Sequence, residues 1–406
     1  MNNPLPPARL DLEFIPVEDG EERELLVRDP LELVPEDLAL PPGILEILSL
    51  LDGAVDLDGF QIELMRLQGG ALVSREEASY LAAQLDEAFL LESPAFFEAK
   101  RGVEEDFAQR PARPAALAGS AYPDDRTGLE AFLDDILTTQ PPFEADGRVT
   151  ALAAPHIDPA LGERVYARAY RALLREKPGR VIILGVGHQM SQGLFSLTAK
   201  DFETPLGALP TDKPAVSRLL RAAGDAAAPS DFDHRFEHSI EFQAVFLRHV
   251  LRDVPFQIVP ILCGSLISLP EYSRAAYLEK AGRFLSSLRH LAADPDMETL
   301  IVAGVDLSHI GPKFGHEEPA RELERKASAH DRALLTHLAR QDPEQFWEES
   351  AQAGDRFNVC GFSALACLLE ILPPSRGLVL DYALWREEPA RSAVSFAATV
   401  FTAAGA

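Results

Sequence analysis

Apolar residues recur along this chain with two periods, and the changes of period mark its organisation. Leu12–Val17, an Asp19-Gly20 turn and Glu24–Val27 read as a β-hairpin. Pro41-Pro42-Gly43 opens a helical run with Ile44, Leu45, Ile47, Leu48 and Leu51 apolar, closed by Asp52-Gly53. A second helix is predicted over Leu57–Leu67, ending at Gly69-Gly70. Ser74-Arg75-Glu76-Glu77 is a capping box, and Ala78, Leu81, Leu85 and Phe89 follow it at helical spacing.

From about Ala115 onward the pattern alternates. Strand-like runs occupy Val149–Ala154, Arg180–Leu184, Leu194–Ala199, Phe256–Leu262, Thr299–Val305, Leu378–Tyr382 and Ala393–Phe401. Helix-like runs fill the gaps at Gly128–Leu137, Gly162–Leu174, Pro214–Ala223, His238–Leu251, Tyr272–Ala292, Glu318–Arg340, Pro343–Ala351 and Phe362–Leu372. Such alternation predicts a three-layer α/β domain with a mostly parallel central sheet. The charged stretch from Arg101 to Arg113, ending in Arg110-Pro111-Ala112-Arg113-Pro114, has little apolar periodicity and reads as a linker. The expected organisation is a small module over 1–100, a linker over 101–114 and the α/β domain over 115–406. Three short helices with a hairpin make the first module similar to a winged-helix-like or PqqD-like fold, used for DNA or peptide binding.

Composition narrows the partners. The net charge of −26 opposes nucleic acid and anionic membranes. The candidate helices of the first module offer only Arg66 and Arg75 against six acidic residues, Asp58, Glu63, Glu76, Glu77, Asp86 and Glu87, which favours peptide binding or packing over DNA. Three cysteines cannot make a disulfide framework. The amino terminus lacks the basic and apolar regions of a secretory signal, and no apolar stretch is long enough to cross a bilayer, so a cytoplasmic location is expected.

All ten histidines lie between His156 and His337, which assigns the chemistry to the second domain. His156, His188 and Asp306 each follow an apolar or small-residue run, and Cys360 follows Phe357-Asn358-Val359. The space beyond the carboxyl ends of strands in an open α/β sheet is where ligands bind, so these residues are expected to converge. Cys360 precedes a helical run, where free N–H groups favour a thiolate. Two imidazoles and a thiolate leave a coordination position open and suit iron, copper or zinc. Asp306 is either a further ligand or a partner that orients a ligand histidine. His309 can act as acid or base. In Glu237-His238-Ser239-Ile240-Glu241, a helix would place His234 with His238 on one face and Glu237 with Glu241 on another. His249, His290, His316, His330 and His337 read as solvated, and Cys263 and Cys367 as small buried apolar residues.

At these clusters the chain resembles the Memo-like family, called AmmeMemoRadiSam system protein B in microbes. The resemblance rests on Ala118-Gly119-Ser120-Ala121-Tyr122-Pro123, Ala154-Pro155-His156, Ile183-Leu184-Gly185-Val186-Gly187-His188, Thr204-Pro205-Leu206-Gly207, Glu237-His238-Ser239-Ile240-Glu241, Val259-Pro260-Ile261-Leu262, Val305-Asp306-Leu307-Ser308-His309-Ile310-Gly311, Val359-Cys360-Gly361 and Ala393-Val394-Ser395-Phe396-Ala397-Ala398 in family order. It implies a fold like class III extradiol dioxygenases. It also implies iron or copper on His156, His188 and Cys360, with Asp306, His238 and His309 lining the pocket. The usual His-Ala-Gly-Tyr and Gly-Pro-Ser-His are here His156-Ile157-Asp158-Pro159 and Gly185-Val186-Gly187-His188, and the common paired serines are Gly304-Val305. Three functions follow as expectations. The first is an oxygenase-like redox enzyme acting on a small molecule or dioxygen, with Asp306, His238, His309 and Glu237 as its non-ligand machinery. The second is a metal-binding or scaffold component beside a radical SAM protein. The third is a hydrolase using Cys360 with His238 and Asp306.

Overall fold

A computed structural model of the chain describes residues 3–19, 22–141, 143 and 145–403. The chain divides into two compact units between Gln109 and Arg110.

In the first unit, β1 (Glu13–Asp19) and β2 (Glu22–Arg28) form the expected antiparallel hairpin, and β3 (Ala39–Leu40) adds to β2. The residues at its tip, Gly20 and Glu21, lie outside the described residues. Helices α1 (Ile44–Ser49), α2 (Leu57–Leu67) and α3 (Arg75–Glu87) follow, and the Ser74–Glu77 capping box is formed in both directions. Leu25, Val27, Leu48, Phe60, Leu64 and Leu85 make the core. The expected linker is largely structured, because α4 (Pro94–Gln109) runs through its first nine residues. That helix starts at a Ser93 cap followed by proline, and it buries Phe96 and Phe107.

The second unit contains β4 (Ala112–Arg113), α5 (Arg126–Thr138), β5 (Val149–Ala154), α6 (Pro159–Tyr170), β6 (Arg180–Val186), β7 (Phe195–Leu197), β8 (Asp201–Phe202), α7 (Lys213–Ala223), α8 (His238–Val250), β9 (Gln257–Cys263), α9 (Arg274–Ala292), β10 (Thr299–Gly304), β11 (Asp306–Ile310), α10 (Ala320–Ala339), α11 (Pro343–Ala353), α12 (Phe362–Ile371), β12 (Ser375–Glu387) and β13 (Ser392–Ala403). Eight strands form one sheet in the order β11-β13-β5-β10-β6-β9-β7, with β12 also on β13. Only its centre is parallel. The pairs β5–β10, β10–β6 and β6–β9 are parallel, whereas β13 joins β5, β11 and β12 antiparallel and β7 joins β9 antiparallel. The expectation of a mostly parallel sheet is therefore corrected to a mixed one. The reason is the long carboxyl-terminal hairpin β12–β13, which needs no crossover helix.

Alternate residues of the central strands enter opposite layers, as the pleat requires. Ala151, Ala153, Ile182, Leu184, Ile301 and Ala303 pack into one core with α7, α9 and α12. Leu152, Ala154, Val181, Ile183, Leu300 and Val302 pack into the other with α5, α6 and α8. Being covered on both faces, β5, β6 and β10 are buried at every residue, which explains their unbroken apolar sequence. Because β10 lies between β5 and β6 and all three run the same way, their carboxyl ends emerge side by side.

Two histidine expectations are corrected here. His249 and His330 are buried rather than solvated, paired with Asp134 at 2.9 Å and Glu349 at 2.8 Å. Among the described residues no helix is long and apolar enough to cross a membrane.

Candidate metal centre

The chain leaves β5 through Pro155 into His156, leaves β6 through Gly187 into His188, and leaves β10 through Val305 into Asp306. A loop then brings Cys360 in from the approach to α12, where the Gly361 N–H donates to the Asp306 carbonyl at 3.1 Å. A Cβ on Gly361 would collide with that same carbonyl, and one on Gly304 would collide with the Ser239 carbonyl, so both glycines are needed for close backbone approach. One ligand atom each from His156, His188 and Cys360 lie within 4.8 Å of one another. Of the four residues expected to converge, these three share one group, and Asp306 lies beside it.

Each imidazole is held by one nitrogen, which leaves the other for the site. His156 Nδ1 donates to the Gly304 carbonyl at 3.0 Å, so its Nε2 carries the lone pair and faces the Cys360 Sγ at 3.4 Å. His188 Nδ1 donates to Glu237 at 3.0 Å, and the same carboxylate accepts the His188 backbone N–H at 3.0 Å. His309 Nδ1 donates to the Leu307 carbonyl at 3.0 Å. Anchoring of this kind fixes tautomer and ring direction in metal ligands. The rings of His156, His188 and His238 cluster with centroids 4.7–5.0 Å apart.

Electrostatics sharpen the picture. Burial, followed by the neighbouring His188 and His238, holds His156 well below the ordinary histidine value, so it is a neutral donor. Burial alone would lower His188, but its hydrogen bond to Glu237 and that group's charge raise it instead. Glu237 shows the converse: burial pushes it up, yet the hydrogen bond and charge of His188, then His238 and the Ser239 N–H, hold it far below the usual carboxylate range. Burial brings His238 and His309 each down to about 4 and pushes Asp306 up to about 7. The expectation of a thiolate at Cys360 is corrected for the metal-free state. Burial and then the Asp306 and Glu237 charges raise its thiol well above the ordinary value, against the weaker help of the Gly361 N–H. A cation among these donors supplies what the helix end does not.

Asp306 sits beside the trio rather than in it. Its Oδ1 accepts the His156 backbone N–H at 3.0 Å and its Oδ2 is 3.8 Å from His156 Nε2. Glu237 caps α8, and His238 is its first residue. His234 lies in a separate short turn, so it does not share a helix face with His238; it is buried and brought down to about 4 by burial. The Glu241 carboxylate accepts from Arg113 and Tyr122, whereas the Glu237 carboxylate accepts from His188. The imidazole that meets the Cys360 thiol is that of His156, at 3.4 Å, with the His238 ring 5.0 Å from the His156 ring. Sequence reasoning missed the Gly304 carbonyl as an anchor and the tether that Glu237 provides; the glutamate directly before a helix start was the available signal.

A family model described as Memo-like protein matches residues 113–400. This chain belongs to the Memo-like family. A MEMO1 family protein of Aquifex aeolicus is 28% identical over 382 residues, covering 93% of this chain and 96% of the relative. One from Thermus thermophilus is 31% identical over 331 residues, 80% of this chain and 93% of the relative. The memo-1 homolog of Caenorhabditis elegans is 30% identical over 203 residues, 50% of this chain and 54% of the relative. The family match begins just after the boundary between the two units, while the Aquifex alignment is too long to leave the first unit out.

Two imidazole nitrogens and a sulfur fit a transition metal and not magnesium or calcium. Replacing Glu237 with Gln keeps an acceptor but removes the charge on His188. It is expected to weaken metal binding about 10–100-fold with the fold intact, as read by competition with a chromophoric chelator. Unchanged affinity would mean the tether does not orient His188.

Proposed function

We propose that this member of the Memo-like family is a metal-dependent redox protein that holds iron or copper on His156, His188 and Cys360, with zinc the redox-inert alternative. The observation that carries this is the set of three ligand atoms within 4.8 Å, with both histidines anchored through Nδ1. Bound iron or copper would supply electron-transfer chemistry at a position open to a small-molecule substrate or dioxygen. His156 and His188 hold, Glu237 and Gly304 orient, and Asp306 keeps His156 in place through its backbone N–H. His238 and His309, brought down to about 4, are neutral hydrogen-bonding groups near pH 7, and Asp306, pushed up to about 7, is the group able to exchange a proton in that range. We place this activity in the cytoplasm, in keeping with three free thiols.

A second reading is a metal-binding scaffold that acts with a radical SAM protein, its first unit serving as a PqqD-like peptide-presenting module. The existence of a separate compact unit outside the family match favours it. Oxygen uptake by the metal-loaded chain, compared with His156→Ala, tests the first reading. The redox reading expects uptake that the variant loses. Equal rates contradict it, and tight metal binding without any uptake favours the scaffold.

A further inference from the structure

A cavity of about 270 Å³ shares His188 and Cys360 with the centre. Val186, Leu266, Tyr272, Val359 and Phe362 supply apolar walls, and Ile267, 63% exposed, stands at the rim. An apolar cavity of about 150 Å³ is enough to take a benzene ring, so this one admits a ring with a short arm. Its lining contains no lysine or arginine, and its one carboxylate is Asp355. That carboxylate has no hydrogen-bond or ion-pair partner among the described residues.

Asp355 is exposed at the mouth of the cavity, on a loop of unusual backbone. Gly354, Asp355 and Asn358 all adopt the left-handed backbone region, at φ of 62°, 58° and 48°. For a non-glycine residue such a conformation persists only where the surroundings impose it. Asn358 provides the fixing, donating through Nδ2 to the carbonyls of His309 at 3.2 Å and Phe314 at 3.0 Å. Cys360 is five residues beyond Asp355 in the chain, and both line the cavity. Tyr272 is also fixed, its hydroxyl meeting the Ser350 hydroxyl at 2.7 Å and its ring tilted against Phe362 at 5.7 Å.

We infer that this cavity is the organic-ligand subsite of the centre and that it takes arylalkylamines: an aromatic ring against Tyr272 and Phe362, and an ammonium group paired with Asp355. An anion would meet Asp355, and the one imidazole of the lining, His188, already has Glu237 as its counter-charge, on a chain already at −26. An ammonium gains that charge. The inference that this subsite serves a reaction rests on the metal reading above, but the selectivity of the cavity does not.

Full-length protein kept metal-free with chelator therefore separates the two. Phenethylamine, 2-phenylethanol and phenylacetate are compared by isothermal titration calorimetry and ligand-observed NMR. The amine is expected to bind about tenfold or more tighter than the alcohol, with the acid weakest, as one added ion pair would give. Asp355→Asn should bring the amine to the level of the alcohol, and Ile267→Ala, which only widens the rim, should leave the ranking intact. Absence of binding by all three probes, binding of the acid equal to that of the amine, or an unchanged amine preference in Asp355→Asn would overturn the inference. A chain that selects the amine yet takes up no metal keeps the subsite and removes the metal centre.

Discussion

Replacing Arg113 with Met is expected to cost the larger unit about 3–5 kcal/mol of stability, the range for breaking a buried ion pair on one side. Both side chains of the Arg113–Glu241 pair are at most 1% accessible. The guanidinium also donates to the carbonyls of His234 at 2.9 Å, Pro114 at 2.9 Å and Glu237 at 3.1 Å. Glu241 in turn accepts from the Tyr122 hydroxyl and from the N–H groups of Ala116 at 3.2 Å and Leu117 at 2.9 Å. Methionine keeps the apolar stem, so the loss reports the stranded carboxylate rather than a cavity. Urea unfolding should show a lower midpoint at a similar slope. The double variant Arg113→Met/Glu241→Gln should recover part of the loss, because the buried charge is gone. A loss below about 1 kcal/mol would mean that the pair is solvated. Since Arg113 grips the backbone at both His234 and Glu237, weaker metal binding should accompany the loss of stability.

Changing Cys360 to Ala is expected to remove stoichiometric metal altogether, a larger effect than the 10–100-fold predicted for Glu237→Gln, because a donor is lost instead of an orienter. The fold should survive, since Cys360 is only half-buried at the start of α12. In the metal-free chain the thiol is held protonated by burial and by Asp306. A metal must displace that proton, so affinity should rise with pH towards the thiol's raised value, and uptake should release protons. His188, also raised, adds competition of the same sign. In Cys360→Ala, any residual binding should show a shallower rise with pH. Elemental analysis after gel filtration reads the stoichiometry, with His290→Ala, on the exposed face of α9, as the control. Retention of one equivalent by Cys360→Ala would remove sulfur from the ligand set.

Much of this architecture could be read from the chain because the signals were local. The unbroken apolar runs of β5, β6 and β10 arise from burial on two faces, and His156, His188 and Asp306 of the candidate centre lie two residues beyond them. The cap at Ser74 and the α2 span are likewise set by neighbours in sequence. What stayed hidden depends on partners far away in the chain. The strand β11 reads Asp-Leu-Ser-His-Ile and lacks an apolar run because Ser308 is buried against Asp331, 23 residues on, at 2.6 Å. Ser395 and Tyr382, from β13 and β12, reach the same carboxylate at 2.6 and 2.8 Å. His249 looked solvated because Asp134 lies 115 residues away. The paired role of Glu237 needed the β6 end and the α8 start to be side by side, which only the sheet order supplies. The helix α4 had a local signal, Ser93-Pro94 with Phe96 and Phe107 eleven apart, masked by its many charges.

X-ray absorption at the edge of iron, copper or zinc loaded into the wild-type chain bears most directly on the centre. The account predicts one sulfur and two imidazole rings in the coordination shell, with the sulfur gone in Cys360→Ala. A shell of oxygen and nitrogen alone in the wild type would contradict it.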